Sequence, residues 1–357
     1  RGFNRPASHR VKEWLLGPID HSSPALMVPP GYPLWYFGSQ VIDSERESYD
    51  TFRRRHEDRD SVIFVGSRDG MLHAFDAGKF RHGDNPETTE IRENRGYFLW
   101  EPRTDDSPAY CADHLEKCPN YGTGAELWAF IPANLVPRLK NSWLKADEQA
   151  FVNASPSLAD VFIDTNGDGV EDTWRTVLLS SEGDGGDSVF CLDVTDPRRP
   201  QFLWEFAAPE FFRNRPSPTA VQIGRTLIPC TGKPGWAAFI AGDRPVASGD
   251  FPVITMIDVS NGRLLNRIVL DDAVDMDGDG MVDTGEVEYG KGGMLAGHPA
   301  LVDSDGNGFI DRLYVASDKG LIYKINLPDN PDNPSNKITH CIMNADFSDE
   351  DGNVVPT

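Results

Sequence analysis

Residues 303–327 read DSDGNGFIDRLYVASDKGLIYKINL, an oxygen-rich loop that runs directly into two strands. Asp303, Asp305, Asn307 and Asp311 stand at positions 1, 3, 5 and 9, where carboxylate and amide oxygens can meet one cation. Gly308 at position 6 allows the sharp turn that brings in the carbonyl of Phe309 at position 7. Hard divalent cations take oxygen ligands in this pattern, so the loop is a candidate site for Ca2+. Position 12 is Tyr314 rather than the bidentate glutamate of an EF-hand, and the flanks are β-branched and aromatic. The expected ion therefore staples a strand-to-strand connection. Beyond it, Leu313–Ala316, a turn at Asp318–Gly320 and Leu321–Ile325 alternate as a β-hairpin. The simpler alternative is a solvated Asp/Asn/Gly turn without metal.

Two further stretches carry the same chemistry. Asp164, Asn166, Asp168 and Asp172 repeat the spacing, with Gly169 at position 6, the carbonyl of Val170 at position 7 and Arg175 at position 12. A Pro-led strand enters and Trp174-Arg-Thr-Val-Leu-Leu leaves, so the two loops read as one device used in two places. Between them, Asp275, Asp277, Asp279, Gly280, the carbonyl of Met281, Asp283 and Glu286 satisfy every position of the twelve-residue EF-hand loop. Its flanks do not make a helix pair, so a calcium-bound insertion is expected rather than a sensor that opens a groove. The acidic turn Glu182–Asp187 fits no such template and reads as a hairpin turn.

Composition points to an all-β chain. With 33 glycines, 27 prolines, many short apolar runs and hardly any 3.6-residue periodicity, the sequence implies many strands and turns in one domain spanning 1–357. The one helical candidate is Pro132–Lys145. A formal net charge of -22 excludes the basic face that nucleic acid requires and makes divalent cations natural counter-ions. No apolar run reaches the length of a membrane span, and the start at Arg1, without Met or signal peptide, reads as a fragment of a longer protein. Of five cysteines, Cys111 and Cys118 can close a short disulfide loop.

Two strings recur. Ser23-Pro-Ala-Leu-Met-Val returns as Ser155-Pro-Ser-Leu-Ala, Ser217-Pro-Thr-Ala-Val and His298-Pro-Ala-Leu-Val, each expected to open the first strand of a blade, with Pro where no ladder donor is lost. Hairpins at 62–76, 176–193 and 313–327, and a related unit from Val253 with its Asn261-Gly262 turn, supply the middle of each blade. The aromatic strands Glu126-Leu-Trp-Ala-Phe and Phe202-Leu-Trp-Glu-Phe are expected to pack between sheets. Insertions are expected at about 81–124 and 271–293, and an irregular segment at 329–357.

Enzymatic chemistry finds little footing. There is no HExxH, no GxSxG and no phosphate-cradling Gly loop, and His73 alternates with apolar residues as a structural histidine would. A quinoprotein dehydrogenase would use a propeller with calcium, but no two cysteines are adjacent to stack the quinone.

The string Gly66-Ser-Arg-Asp-Gly-Met-Leu-His-Ala-Phe-Asp-Ala, the strand from Glu126, the segment Ser155 to Leu178 and Leu192-Asp-Val-Thr-Asp-Pro together carry a family likeness. From about Pro24 to Leu327 the chain resembles the C-terminal domain of the type IV pilus tip-associated adhesin and biogenesis factor family, the PilY type. The resemblance implies a modified seven-bladed, quinoprotein-like β-propeller on an extracellular pilus protein, with minor pilins and a host or abiotic surface ligand as partners. It also implies a calcium loop tied to pilus extension, retraction and twitching motility, which maps onto Asp303, Asp305, Asn307, Phe309 and Asp311. The function expected is a non-enzymatic adhesion and pilus-regulating module; the alternatives are a quinoprotein-like oxidoreductase and a calcium-stabilised scaffold.

Overall fold

The computed structural model describes residues 16–86, 96–104, 107, 109–112, 116–138, 151–165, 171–208, 220–228, 232–242, 253–270, 295–317 and 322–327. In chain order, strand β1 (Ala25–Met27) is followed by a 3-10 turn at Leu34–Phe37, helix α1 (Asp43–Arg55), β2 (Val62–Gly66) and β3 (Leu72–Asp76). An insertion then folds as two ribbons, β4 (Phe80–His82) with β5 (Gly96–Phe98) and β6 (Trp100–Pro102) with β7 (Lys117–Pro119). The chain returns as β8 (Glu126–Phe130) to complete the sheet β1-β2-β3-β8.

Three more antiparallel sheets follow. They are β9 (Ser157–Ile163), β10 (Thr173–Ser181), β11 (Ser188–Asp193) and β12 (Gln201–Ala207); β13 (Ala220–Leu227), β14 (Pro234–Gly242), β15 (Val253–Asp258) and β16 (Leu264–Val269); and β17 (Leu295–Val302), β18 (Arg312–Ser317) and β19 (Ile322–Asn326). Each sheet is an up-and-down meander, and the first strands β1, β9, β13 and β17 lie beside one another in series. Apolar side chains fill the spaces between successive sheets. Val62, Phe64 and Leu72 meet Leu178, Phe190 and Leu192 between the first two. Val161, Trp174 and Val177 meet Trp236, Ala238 and Ile257 between the second and third. Phe239, Ile254 and Met256 meet Leu295, Leu313 and Val315 between the third and fourth. Four blade-like sheets stacked in chain order are therefore present among the described residues.

The Pro-led strings behave as the sequence implies at β1 and β9, which begin one residue after Pro24 and Pro156. Ser217-Pro218 lies outside the described residues. The fourth copy differs: Pro299 falls inside β17, where pairing with β18 shifts between Ala296 and Ala300. Such a bulge leaves the missing N–H without a ladder partner to lose. The aromatic outer strands pack as expected, Phe130 of β8 lying 5.1 Å from Phe190 and 6.2 Å from Phe202 of the next sheet.

The helix expectation requires correction. Pro132–Lys145 gives only a 3-10 turn at Ala133–Leu135 and a short helical continuation within the described residues. The one long helix of the described part is α1, which shows almost no apolar periodicity because only Tyr49 and Phe52 of its thirteen residues are buried. Its other signals were present: Asp43 and Glu45 in the first turn and Arg53, Arg54 and Arg55 in the last complement the helix dipole. Tyr49 and Phe52, three apart and therefore on one face, enter the core between the second and third sheets. There Trp35 stacks on Trp174 at 5.2 Å and 6°, with Trp236 edge-on at 5.8 Å. Trp174 Nε1 donates to Ser48 Oγ at 2.6 Å.

The hairpin β2–β3 is closed by charge. His73 Nδ1 lies 2.6 Å from Glu126 Oε1 and Nε2 lies 3.2 Å from Asp69 Oδ1, while Ser67 Oγ donates to the same Asp69 oxygen. Ser67 Oγ is also 3.1 Å from His73 Nε2, the spacing of a hydrolase pair, but both residues are buried inside the hairpin. Burial alone lowers the His73 pKa, but the hydrogen bonds to Asp69 and Glu126 outweigh it and raise the value above normal.

Two outcomes follow. A group with a raised folded pKa contributes stability that is fully present below its unfolded value, about 6.5, and lost as pH rises through the folded value. Urea denaturation of wild type and His73→Gln across pH 5.5–9 should therefore show a stability gap that narrows as pH rises; a constant gap would rule out the imidazolium. In the insertion, Cys111 and Cys118 are joined in a disulfide with 5.6 Å between Cα atoms. Thiol alkylation without reductant should leave both unmodified by peptide mass, and reductant should expose both.

Candidate metal loops and their anchor

Residues 303–311 connect β17 to β18, the first and second strands of the fourth sheet. Asp303 sits at the hub. Its Oδ1 accepts from the N–H groups of Gly306 at 2.8 Å and Asn307 at 3.1 Å, and its Oδ2 from Gly308 at 2.7 Å. Asp305 accepts from the Asn307 amide, and Asn307 Oδ1 accepts from Phe309 N–H at 2.8 Å. Gly306 and Gly308 take φ of 73° and 97°, the left-handed region in which a Cβ is strained. The far end is tied back as well: Asp311 accepts from Ser304 N–H at 2.8 Å and from Ser304 Oγ, and Asp311 N–H donates to Val302 O at 3.0 Å.

The second predicted loop is closed by the same bonds. It joins β9 to β10, the first two strands of the second sheet, and Asp172 accepts from Thr165 N–H at 3.4 Å and Thr165 Oγ1 at 2.9 Å. Asp172 N–H donates to Ile163 O at 3.0 Å. Position 2 is thus a hydroxyl residue in both loops, Ser304 and Thr165, and position 9 is the carboxylate that holds it. Asn166, Asp168 and Val170 lie outside the described residues. So do all the ligands expected of the middle loop, Asp275, Asp277, Asp279, Met281, Asp283 and Glu286.

What the sequence did not single out is the anchor of loop 303–311. Arg225, only 4% exposed in the middle of β13, donates from Nε and Nη2 to both oxygens of Glu45 on α1 at 3.1 and 2.8 Å. Its Nη1 donates to Gly308 O at 3.0 Å, and its guanidinium lies 4.0 Å from the centre of the buried Phe309 ring. The Arg225 carbonyl accepts from Ile310 N–H at 2.8 Å. On the other side, Ser39 and Gln40 N–H groups donate to Gly306 O and Asn307 O at 3.0 and 3.1 Å. A Cβ at Gly38 would lie 2.4 Å from Gly308 Cα, so only glycine admits this approach. The legible signals were a lone arginine in the apolar run VQIGRTLI and the shared hydroxyl at position 2.

The donors fit a hard cation in kind: three carboxylates and an amide on one glycine-turned loop, with no nitrogen or sulfur ligand among them. In geometry they are held by backbone amides, and among the described residues no three His, Cys, Asp or Glu side chains stand at metal-ligand spacing. Coordination would draw these oxygens inward and turn the Asn307 amide, whose Nδ2 now faces Asp305. Near the second loop, burial and then the charges of Asp258 and Glu45 push the Glu171 carboxyl up to about 8.

No family model matches the chain. It is 27% identical over 344 residues to the type IV pilus biogenesis factor PilY1 of Pseudomonas aeruginosa strain UCBPP-PA14, a span of 93% of this chain and 22% of that protein. A PilY1 homolog of Xylella fastidiosa is 25% identical over 87% of this chain and 17% of its own length. The crystal structure of the Pseudomonas aeruginosa PilY1 C-terminal domain superposes with a TM-score of 0.51 at 23% identity, covering 85% of this chain and 45% of that one. This chain is similar to the C-terminal domain of PilY1. The PilY1 crystal structure supports the blade-like β fold. The chain spans about a fifth of the length of these PilY1 relatives, which are named as biogenesis factors rather than enzymes. No helix among the described residues is long and apolar enough to cross a membrane.

Replacing Arg225 by methionine keeps bulk but leaves Glu45 without its partner and Gly308 O without its donor. Loss of one member of a mostly buried pair costs about 3 kcal/mol, and urea midpoints should show a loss of that order for Arg225→Met. A loss below about 1 kcal/mol, the range of a surface ion pair, would remove Arg225 as the anchor.

Proposed function

We propose that this chain is a calcium-binding, non-enzymatic module of a type IV pilus system, acting in adhesion and in control of pilus assembly, extension, retraction and surface motility. The observation that carries the reading is the identical closure of loops 164–172 and 303–311 at the same place in two sheets, in a chain similar to PilY1 along 93% of its length. Calcium would be held by Asp303, Asp305, Asn307, the Phe309 carbonyl and Asp311, and equivalently by Asp164, Asn166, Asp168, the Val170 carbonyl and Asp172. The middle loop, Asp275 to Glu286, is the third site proposed. The four sheets are read as part of a seven-bladed, quinoprotein-like propeller, a count supported by the resemblance alone. The partners proposed are minor pilins and a host or abiotic surface ligand, and the location is extracellular, at the pilus tip or on the outer membrane.

Bound calcium supplies a divalent charge that neutralises converging carboxylates. The chain's own contribution is to hold loop 303–311 at one strand junction, tied to Arg225 through the Gly308 carbonyl and the Phe309 ring. A ligand that binds only the folded state stabilises it by about 2.7 kcal/mol at a hundredfold excess over Kd. Calcium should therefore raise the melting temperature of wild type, and Asp311→Asn and Asp172→Asn should each remove part of that rise. In cells, a chromosomal Asp311→Asn variant should be exported and folded but change pilus number or twitching. Unchanged piliation and motility in a variant shown to have lost the calcium response would leave a structural staple and defeat the regulatory reading.

A further inference from the structure

Three consecutive peptide groups of loop 303–311 each join a donor outside the loop to a predicted ligand within it. The Gly306 carbonyl accepts from Ser39 N–H at 3.0 Å, and the N–H of the same peptide group, that of Asn307, donates to Asp303 and Asp305, both at 3.1 Å. The Asn307 carbonyl accepts from Gln40 N–H at 3.1 Å, while Gly308 N–H donates to Asp303 Oδ2 at 2.7 Å. The Gly308 carbonyl accepts from Arg225 Nη1 at 3.0 Å, while Phe309 N–H donates to Asn307 Oδ1 at 2.8 Å. Each peptide plane is thus fixed from both ends, its carbonyl turned to an outside donor and its N–H to a ligand side chain. The next carbonyl, that of Phe309 at position 7, accepts no hydrogen bond among the described residues. A carboxylate offers about four lone-pair sites, more than the three N–H groups that Asp303 accepts.

Ser39 and Gln40 belong to a segment that is itself braced. Arg46 of α1 donates to Tyr36 O at 3.0 Å and to Gly38 O at 2.8 Å, and Gly38 N–H donates to Trp35 O at 2.9 Å. Trp35 is stacked on Trp174, and Tyr36 Oη donates to Asp50 at 3.0 Å. The contact with the loop leaves no slack: a Cβ on Gly308 would lie 2.7 Å from Val41 Cγ2 and 3.1 Å from Trp35 O. Backbone movement at 306–308 therefore has to move 38–41 or break its bonds. The same segment reaches solvent through Leu34 and Phe37, 91% and 67% exposed.

We propose that Ser39 and Gln40, together with Arg225, are positioning residues for the cation of loop 303–311, and that the segment Leu34–Ile42 is the element through which occupancy of that loop reaches the surface. This rests on the reading of the loop as a calcium site and adds the residues that orient it from outside. Coupling between two sites is reciprocal: if the segment holds the loop ready for the ion, the ion holds the segment in place by the same factor.

An amide held in such a bond exchanges with solvent only when the bond opens. Hydrogen–deuterium exchange of the whole chain, read on peptides covering 38–42 and 62–76, is compared with and without calcium, and calorimetry measures calcium binding on the same samples. Full linkage at about a hundredfold excess of calcium over Kd slows exchange about a hundredfold, and slowing of ~10-fold or more is expected at 38–42 with little change at 62–76. Asp303→Asn should lose the binding heat of this loop and the slowing together. Arg46→Met touches no ligand but frees Tyr36 O and Gly38 O, and should weaken calcium binding at this loop about 5-fold or more with an unchanged circular dichroism spectrum. Gly38→Ala, which forces the two backbones apart, should weaken it further.

Binding heat that Asp303→Asn removes, with exchange at 38–42 unmoved by calcium, would overturn the coupling and leave the calcium site standing. Identical binding heat in wild type and Asp303→Asn would remove the calcium site and the coupling with it. The coupling is also overturned by slowing that survives Asp303→Asn or is equal at 62–76, since either puts its source elsewhere, and by wild-type affinity in both Arg46→Met and Gly38→Ala.

Discussion

Arg225 holds three separate parts of the molecule at one point. Its side chain joins a strand of the third sheet to the first turn of α1 through Glu45 and to the loop of the fourth sheet through Gly308 and Phe309. A guanidinium suits this task because its planar fork can meet a carboxylate with two bonds, keep a third for a carbonyl and still stack on a ring. A lysine would satisfy one of these contacts at a time. The loop that carries the candidate ligands is thereby fixed to the body of the protein, and so is the helix whose Tyr49 and Phe52 fill the space between the second and third sheets.

The stack of sheets gives the loops their positions. Each meander places its first strand next to the first strand of its neighbour, so the connection from first to second strand emerges at an equivalent place each time. At two of these places the chain uses one solution: an aspartate at position 9 captures the backbone and hydroxyl of position 2 and donates its own N–H to the residue before position 1. That closure shapes the loop, and in loop 303–311 the Asp303 and Asp305 oxygens accept backbone N–H groups within it. Likeness to the PilY1 C-terminal domain supports the blade-like stack.

Much of the architecture was legible because it is local. Hairpins at 62–76 and 313–327 and the Gly262 turn announce themselves through period-two apolar alternation and turn residues, and the structure has them where the sequence puts them. The disulfide was legible from two cysteines at short spacing in a polar stretch. Helix α1 was not, since a helix that buries only two side chains shows almost no apolar stripe, and its evidence lay in its charged ends. Pro299 was misplaced because a bulge is a property of the pairing, which a single strand does not encode. The loop ligands could be listed by spacing, but the anchor could not: Arg225 and Glu45 are 180 positions apart, and Gly38 meets Gly308 only once four sheets are stacked.

Anomalous X-ray scattering measures directly whether loop 303–311 is a cation site. Crystals grown with calcium, with data collected at a long wavelength, should show a strong anomalous peak within bonding distance of Asp303, Asp305, Asn307 and Asp311 and the Phe309 carbonyl. Density at that point with no anomalous signal, at calcium concentrations that saturate any thermal shift, would contradict it.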